Sequence, residues 1–306
     1  MARDAYAAQV ALLVRALPLV ADEPNFALKG GTAINLFYRD MPRLSVDIDL
    51  TYVPLDDRST ALANISAALG RLIERAQREL HGVEAQRISG GGDGDTRILL
   101  RAAGAEVKIE VSPVLRGTVV PPQLMRVTEV VEDAFGFAEM PVLAFEDLYA
   151  GKLCAALDRQ HPRDLYDVHL LYEHEGVTDA LYRTFLIYAA SSPRPLHELI
   201  APNRIDIDRA FAREFDGMTI EHVPLRTLLA ARERLIGDVA ERTTDAAVKF
   251  LLSLHDGEPD FGVIGHQAAA DLPAIRWKLL NLRKLRDSNP EKHADQRSRL
   301  AAALRR

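Results

Sequence analysis

The chain has 306 residues, of which 48% are apolar and 27% charged, and its formal net charge is -6. That is the composition of a globular protein with enough residues for one large core or two modest ones, and it excludes a collagenous, low-complexity or largely disordered chain. One cysteine, Cys154, excludes an intrachain disulfide framework, no apolar run is long enough to cross a bilayer, and the first residues make no secretory signal, so a cytoplasmic protein with no membrane partner is expected.

Residues 2–20 place Ala7, Val10, Leu13, Val14 and Leu17 at helical spacing and predict a helix. An apolar run then ends in Gly30, Gly31 and Thr32, and a short amphipathic segment follows with Ile34, Leu36, Phe37 and Tyr38. Residues 45–52 alternate as a strand, with Val46, Ile48 and Leu50 on one face and Asp47 and Asp49 together on the other. Two carboxylates side by side repel one another unless a cation lies between them. A divalent ion with hard oxygen ligands, magnesium above all, meets that need and is commonly shared with substrate phosphates. The Gly-Gly-Thr turn opens a helix whose first N–H groups and positive end suit a phosphate. Taken singly, the aspartates read equally as a solvated strand face and the glycines as a tight turn. Their order in one strand-turn-helix-strand unit brings helix mouth and aspartates to the same end, the makings of a pocket for a nucleoside triphosphate and its metal.

Residues 58–80 repeat the helical pattern, and strands are predicted at 83–89, 96–103 and 105–114, the last two joined by a turn at Gly104. Residues 90–95 are glycine-rich, but no helix follows and no lysine punctuates them, so a hairpin connection is expected rather than a phosphate loop. In the third of these strands Glu106, Lys108 and Glu110 share the polar face. A carboxylate there is either half of an exposed Lys-Glu pair or the third acid of a phosphoryl-transfer site, completing a metal shell or taking a proton.

Prolines between 113 and 122, then Pro141, mark a change after which helical patterns dominate. A domain boundary is expected near Met140, giving domains 1–140 and 141–306. A helix over 145–157 contains Lys152, and the next opens at His161-Pro162 with proline well placed in its first turn. Asp164 and Asp167 share a face near that helix's positive end, where Asp164 could equally pair with Arg159 or Arg163. His161, His169 and His174 do not have zinc spacing. The longest periodic segment is 225–254, and Trp277 is expected to pack on an amphipathic helix in preference to stacking on a base. Residues 276–306 hold ten Lys or Arg against three acids, a local +7 that leaves -13 on the rest. A basic end on an acidic body reads either as a solvated helix face or as a track for a polyanion such as RNA.

The phrases LKGGTAINLFY, RLSVDIDL and DLYAGKLCAALDRQHPRDLYDVHLL resemble the AbiEii/AbiGii toxin family and the related MenT-type toxins of type IV toxin-antitoxin systems, within the DNA polymerase beta-like nucleotidyltransferase superfamily. The resemblance implies an α+β fold: a catalytic domain with a mixed sheet and flanking helices, followed by a mainly helical domain that contributes to the active site and binds the acceptor. It implies a Mg2+-dependent nucleotidyltransferase that adds NMP from an NTP to an RNA acceptor, typically the tRNA 3′ end, blocks translation, and is restrained by a cognate antitoxin. Carried over by position, Gly30, Gly31 and Thr32 hold the triphosphate, Asp47 and Asp49 hold the metal, and Glu110 is the third acid. Lys152 contacts the triphosphate, and Asp164 first, Asp167 second, is the later aspartate needed for activity. Departures are a threonine for the usual serine at the turn, a glutamate for the usual aspartate at 110, and a longer spacer, whose loop around 40–43 is expected to turn its arginines to the acceptor. Two other readings are a transferase acting on a small molecule or a protein, and a non-catalytic nucleotide-dependent binding module.

Overall fold

The computed structural model describes residues 2–88 and 96–305; the hairpin connection expected at 90–95 lies outside them. The chain divides into two units, Met1–Ala144 and Phe145–Arg306.

In the first unit the apolar stripe of α1 (Ala2–Ala21) buries Val10, Leu13, Val14 and Leu17. Strand β1 (Phe26–Lys29) leads into α2 (Gly30–Ala33), which continues as a π-helical turn, Ile34–Tyr38. Then follow β2 (Asp47–Tyr52), α3 (Arg58–Glu79), β3 (Glu84–Arg87), β4 (Arg97–Ala102), β5 (Ala105–Val111), β6 (Gln123–Arg126), α4 (Glu129–Phe135) and β7 (Glu139–Val142). Asp57 caps α3 by accepting from the N–H groups of Ser59 and Thr60. Ala103 and Gly104 both have positive φ, the two-residue turn that matches the twist of the β4-β5 hairpin. Among the described residues seven strands form one sheet in the order β3-β4-β5-β2-β1-β7-β6, with β2 parallel to β5, β1 parallel to β7 and the other neighbours antiparallel. α1 packs on β5 and β7, α3 on β3 and β4, and the two helices on each other, so a helical layer covers one side of the sheet. Ile48, Leu50, Val107 and Ile109 are buried, each stabilising the fold by about 1.5–3 kcal/mol.

Two expectations change here. The aspartate strand starts at Asp47 rather than at 45, because residues 43–46 fold back onto the glycine turn. The sheet also does not stop at the prolines: β6 and β7 extend it to Val142. Both are four residues long, and β7 contains Pro141, so neither offers a readable alternation.

In the second unit the described residues form α5 (Phe145–Asp158), α6 (Pro162–Glu173), α7 (Asp179–Ser191), α8 (Leu196–Ile200), α9 (Asp208–Glu214), α10 (Leu225–Glu241), α11 (Asp245–Asp256), α12 (Pro273–Ser288) and α13 (Pro290–Ala303), with two short 3-10 turns between α11 and α12. His161 caps α6, its ring accepting from the Arg163 N–H, with Pro162 opening the helix as expected. The periodic segment 225–254 is two helices, because Thr244 caps a new one by accepting from the Ala247 N–H. No helix among the described residues is long and apolar enough to cross a membrane.

The packing role expected of Trp277 is overturned: the side chain is 53% exposed. The buried stripe of α12 runs instead through Ala274, Ile275, Lys278 and Leu282. Lys278 takes the inward position because its ammonium donates to the carbonyls of Ser192 and Arg194 just past the end of α7, where a cation is favoured. A neighbour one residue away on the helix then points outward.

Between α11 and α13, His255 and His293 stack with ring centroids 4.3 Å apart. Each Nε2 faces the other residue's backbone carbonyl, at 3.0 and 3.1 Å, so each must carry its proton there and act as donor. Burial lowers the His255 pKa below the ordinary 6.5, partly offset by that carbonyl. The unfolded chain therefore binds more protons at His255 than the native one, and the contribution to stability is complete above 6.5 and is lost as pH falls from there through the lowered native pKa. The melting temperature is expected to drop between pH 7.5 and 5.5, and His255→Gln, which keeps a donor and cannot titrate, to make the drop shallower. An equal slope in both proteins would remove this assignment.

Candidate active site

The glycine turn is shaped by close approach. Gly30 has φ +75°, and a Cβ placed on it would stand 2.8 Å from Asp49 Oδ2. The Asp49 carboxylate thus lies directly over the start of α2. Gly31 has an ordinary φ, but a Cβ there would meet Arg43 Nη2 at 2.5 Å and Ser45 Oγ at 2.9 Å. Thr32 is buried, and its hydroxyl donates to the Asp47 carbonyl and lies 3.0 Å from Ser45 Oγ. That hydroxyl ties the turn to the aspartate strand, so what Thr32 offers a phosphate is its backbone N–H.

The long spacer closes back on the turn. Asn35, fully buried, donates to the Gly31 carbonyl at 2.8 Å and accepts from the Arg43 N–H at 3.3 Å. Arg43 is 3% exposed, and its guanidinium donates to the Leu44 carbonyl. The expectation that this arginine faces an acceptor is corrected: it is packed inward against Gly31. Asn35 and Arg43 are the clamp that sequence reasoning missed, and their separation by eight positions of irregular chain carries no periodic signal.

Strand register sets the charge pattern. Lys29 pairs with Asp49 across β1-β2, Asp49 with Glu110 across β2-β5, and Glu110 with Arg97 across β5-β4. Paired residues of neighbouring strands share a face, so a transverse row reads Lys29, Asp49, Glu110, Arg97. One level along, Asp47 pairs with Lys108.

The two acids in the row differ in how they are held. Glu110 Oε1 accepts from Arg97 Nη2 at 2.6 Å, and its Oε2 lies 3.2 Å from Lys108 Nζ. Burial works to raise the Glu110 pKa, but hydrogen bonds from Arg97 and Lys108 outweigh it and hold the carboxyl below its usual value. Asp49 has no such partner, and among the described residues neither Asp47 nor Asp49 makes a side-chain ion pair or hydrogen bond. Burial pushes the Asp49 pKa up and the charges of Asp47 and Glu110 add to it, against the opposing pull of Lys29 and Lys108. Lys29 in turn is lowered by burial, with Asp49 and Glu110 drawing it back.

These residues suit a divalent cation: two carboxylates without partners, one of them destabilised as an anion, beside a helix start. Among the described residues no three His, Cys, Asp or Glu are grouped to hold a metal by themselves. The donor set present is therefore the aspartate pair, which is how magnesium is commonly bound when phosphates and water supply the remaining oxygens. Lys29 was not singled out from the sequence, where it is only the residue before the glycines.

Within the second unit Lys152, Asp164 and Asp167 meet. Lys152 Nζ lies 2.9 Å from Asp164 Oδ1 and 2.8 Å from Asp167 Oδ2, with all three side chains buried. Arg159 closes on Asp164 with two further bonds, Nε to Oδ2 at 2.5 Å and Nη2 to Oδ1 at 3.0 Å. The pairing of Asp164 with Arg159 foreseen as an alternative is present. Although burial disfavours its anion, Lys152 and Arg159 hold the Asp164 carboxyl well below the carboxylate range. Helix spacing puts Asp164 and Asp167 on one face, and the turn between α5 and α6 delivers Lys152 to both.

Two outcomes follow. Gly30→Ala is expected to cost at least about 1–2 kcal/mol from the left-handed backbone alone, with a further penalty from Asp49 Oδ2, read by denaturant unfolding. Lys152→Met should cost about 3–5 kcal/mol because it removes the cation that the buried Asp164 and Asp167 share; a stability within about 1.4 kcal/mol of the parent, one decade in the folding constant, would contradict the geometry.

A family model described as nucleotidyl transferase AbiEii toxin, type IV TA system, matches residues 11–280. No curated protein matches the chain. Among solved structures, MenT4, a nucleotidyltransferase toxin from Mycobacterium tuberculosis H37Rv, is similar over 91% of this chain and 92% of its own, with a TM-score of 0.62 and 17% sequence identity. At that identity the likeness shows the fold, while the family match spans most of the sequence. The chain belongs to the AbiEii family of nucleotidyltransferase toxins of type IV toxin-antitoxin systems.

Proposed function

We propose that this nucleotidyltransferase is Mg2+-dependent and transfers NMP from an NTP to an RNA acceptor, the 3′ end of tRNA, so that translation stops until a cognate antitoxin intervenes. The observation that carries the reading is the pair Asp47 and Asp49, neither with an ionic partner among the described residues, with the Asp49 carboxylate over the glycine turn and beside Glu110. A cytoplasmic location follows from the acceptor.

In this reading the first-turn N–H groups at Gly30, Gly31 and Thr32 bind the triphosphate, and the clamp of Asn35 and Arg43 keeps the turn in shape. Asp47 and Asp49 hold Mg2+, and Glu110 backs them as third carboxylate or proton acceptor. A bound Mg2+ would supply charge neutralisation to the phosphates of the NTP. The acceptor hydroxyl oxygen forms a bond to the α-phosphorus, the bond to pyrophosphate breaks, and the hydroxyl proton passes to a carboxylate. Lys29 and Lys108 limit the negative charge the acids present to an incoming polyphosphate. From the family resemblance we carry Lys152 as the cation for the developing pyrophosphate charge. Asp164, and after it Asp167, are the aspartates that hold that lysine.

The test is incubation of the purified chain with each labelled NTP, Mg2+ and total RNA. Label is expected in tRNA-sized RNA, and Asp49→Asn is expected to lower transfer by at least about a hundredfold. Asp49 has a raised pKa, so its ionised form weakens the fold at neutral pH and the contribution it makes is lost as pH rises through that value. Asp49→Asn should therefore melt at the same temperature or higher, while losing the stabilisation that Mg2+ and NTP confer on the parent. Label moving into a small molecule or a protein, or equal transfer by the variant, would refute the proposal.

A further inference from the structure

We propose that the outward face of α12 is a docking surface for single-stranded RNA, with Trp277 as its stacking platform. This rests on the reading of RNA as the acceptor.

Trp277 and Leu280 are each 53% exposed, three residues apart on one helix face. Arg283 and Lys284 follow at three and four positions beyond Leu280, continuing that face. Both are exposed, and among the described residues neither makes an ion pair; the same holds for Lys292 at the start of α13. Of the nearby acids, Asp271 is spent on Arg276 at 2.7 Å, Asp295 on Arg299 at 2.9 Å, and Asp287 lies beside Arg286 at 3.7 Å, which leaves Glu291 alone against Arg283, Lys284 and Lys292. What remains outward is an indole, an apolar neighbour and a run of uncompensated cations, on a stretch that carries +7 while the rest of the chain carries -13.

An indole and a leucine exposed on one helix face offer an apolar platform, and the surrounding charge selects its cover. An acidic strand with its own π-faces satisfies both halves: phosphates meet Arg283 and Lys284, and a base stacks on Trp277. From Trp277 to Lys284 the helix rises about 10 Å, close to the rise of about three stacked nucleotides at 3.4 Å each. The buried Lys278 is what turns the indole outward, so the arrangement is built into the packing of α12.

Trp277 is the chain's single tryptophan, so its fluorescence reports this surface alone. The full-length protein is titrated at low salt with a twelve-residue oligouridylate, with a tRNA, and with inorganic polyphosphate. Both RNAs are expected to quench the indole, and polyphosphate to bind without quenching. Trp277→Ala should weaken oligouridylate binding, read by anisotropy, about tenfold. Arg283→Glu with Lys284→Glu should reduce the quench and lower the salt slope by about 1.4, two phosphates' worth on a single strand. Asp49→Asn should quench as the parent does, which separates this surface from catalysis. Labelled NMP entering RNA while Trp277 stays unquenched would overturn the docking surface and leave the proposed activity standing. Quenching by the purified antitoxin and by neither RNA would also overturn it, in favour of a protein partner.

Discussion

The first unit is organised around a repulsion. Register places Asp49 next to Glu110 on adjacent strands, with Asp47 two residues along, and like charges opposite one another in a sheet are destabilising. The fold relieves only part of this. Arg97 and Lys108 settle Glu110, while Lys29 acts on Asp49 through its charge without reaching hydrogen-bonding distance. A carboxylate kept short of a partner, against a helix start, is a poor choice for stability and a good one for binding a cation that arrives with its nucleotide.

The elements around this site hold it by backbone contacts more than by bulk. Gly30 allows the carboxylate of Asp49 to come down onto the turn, and Thr32 ties that turn to the carbonyl of Asp47. Asn35 and Arg43 fold the spacer back over Gly31. Each would be lost to a small change in side-chain shape. The apolar side of the same strands, Ile48 and Leu50 among them, anchors the register from below, since a slip of one residue would send the aspartates into the core.

The second unit shows the opposite treatment of buried charge. Lys152 is matched by two carboxylates, and Arg159 adds a second cation to Asp164, so the group is close to neutral. Removing one member of such a cluster leaves buried charge less well matched, which is costly. Trp277, on the surface of the same unit, is the residue whose surroundings most clearly call for something outside the chain.

The family resemblance implied the α+β fold, and local pattern was enough to read the helical stripes, the aspartate strand, the glycine turn and the helix opening at Pro162. Each of these depends on periodicity, capping or turn chemistry within a few residues, and the family resemblance was carried by the same short phrases. Strand alternation and helical spacing also told which residues share a face, so Asp47, Asp49, Glu110, Asp164 and Asp167 were legible as candidates. Tertiary structure decided who stands beside whom. Lys29 and Arg97 join the row of charges only because β1, β2, β5 and β4 are adjacent in that order, and no local pattern specifies strand order. Arg43 turns inward because Asn35 is there to receive its backbone. Trp277 faces out because a lysine on the same helix finds two carbonyls some 85 residues earlier in the chain, a pairing with no trace in either segment alone.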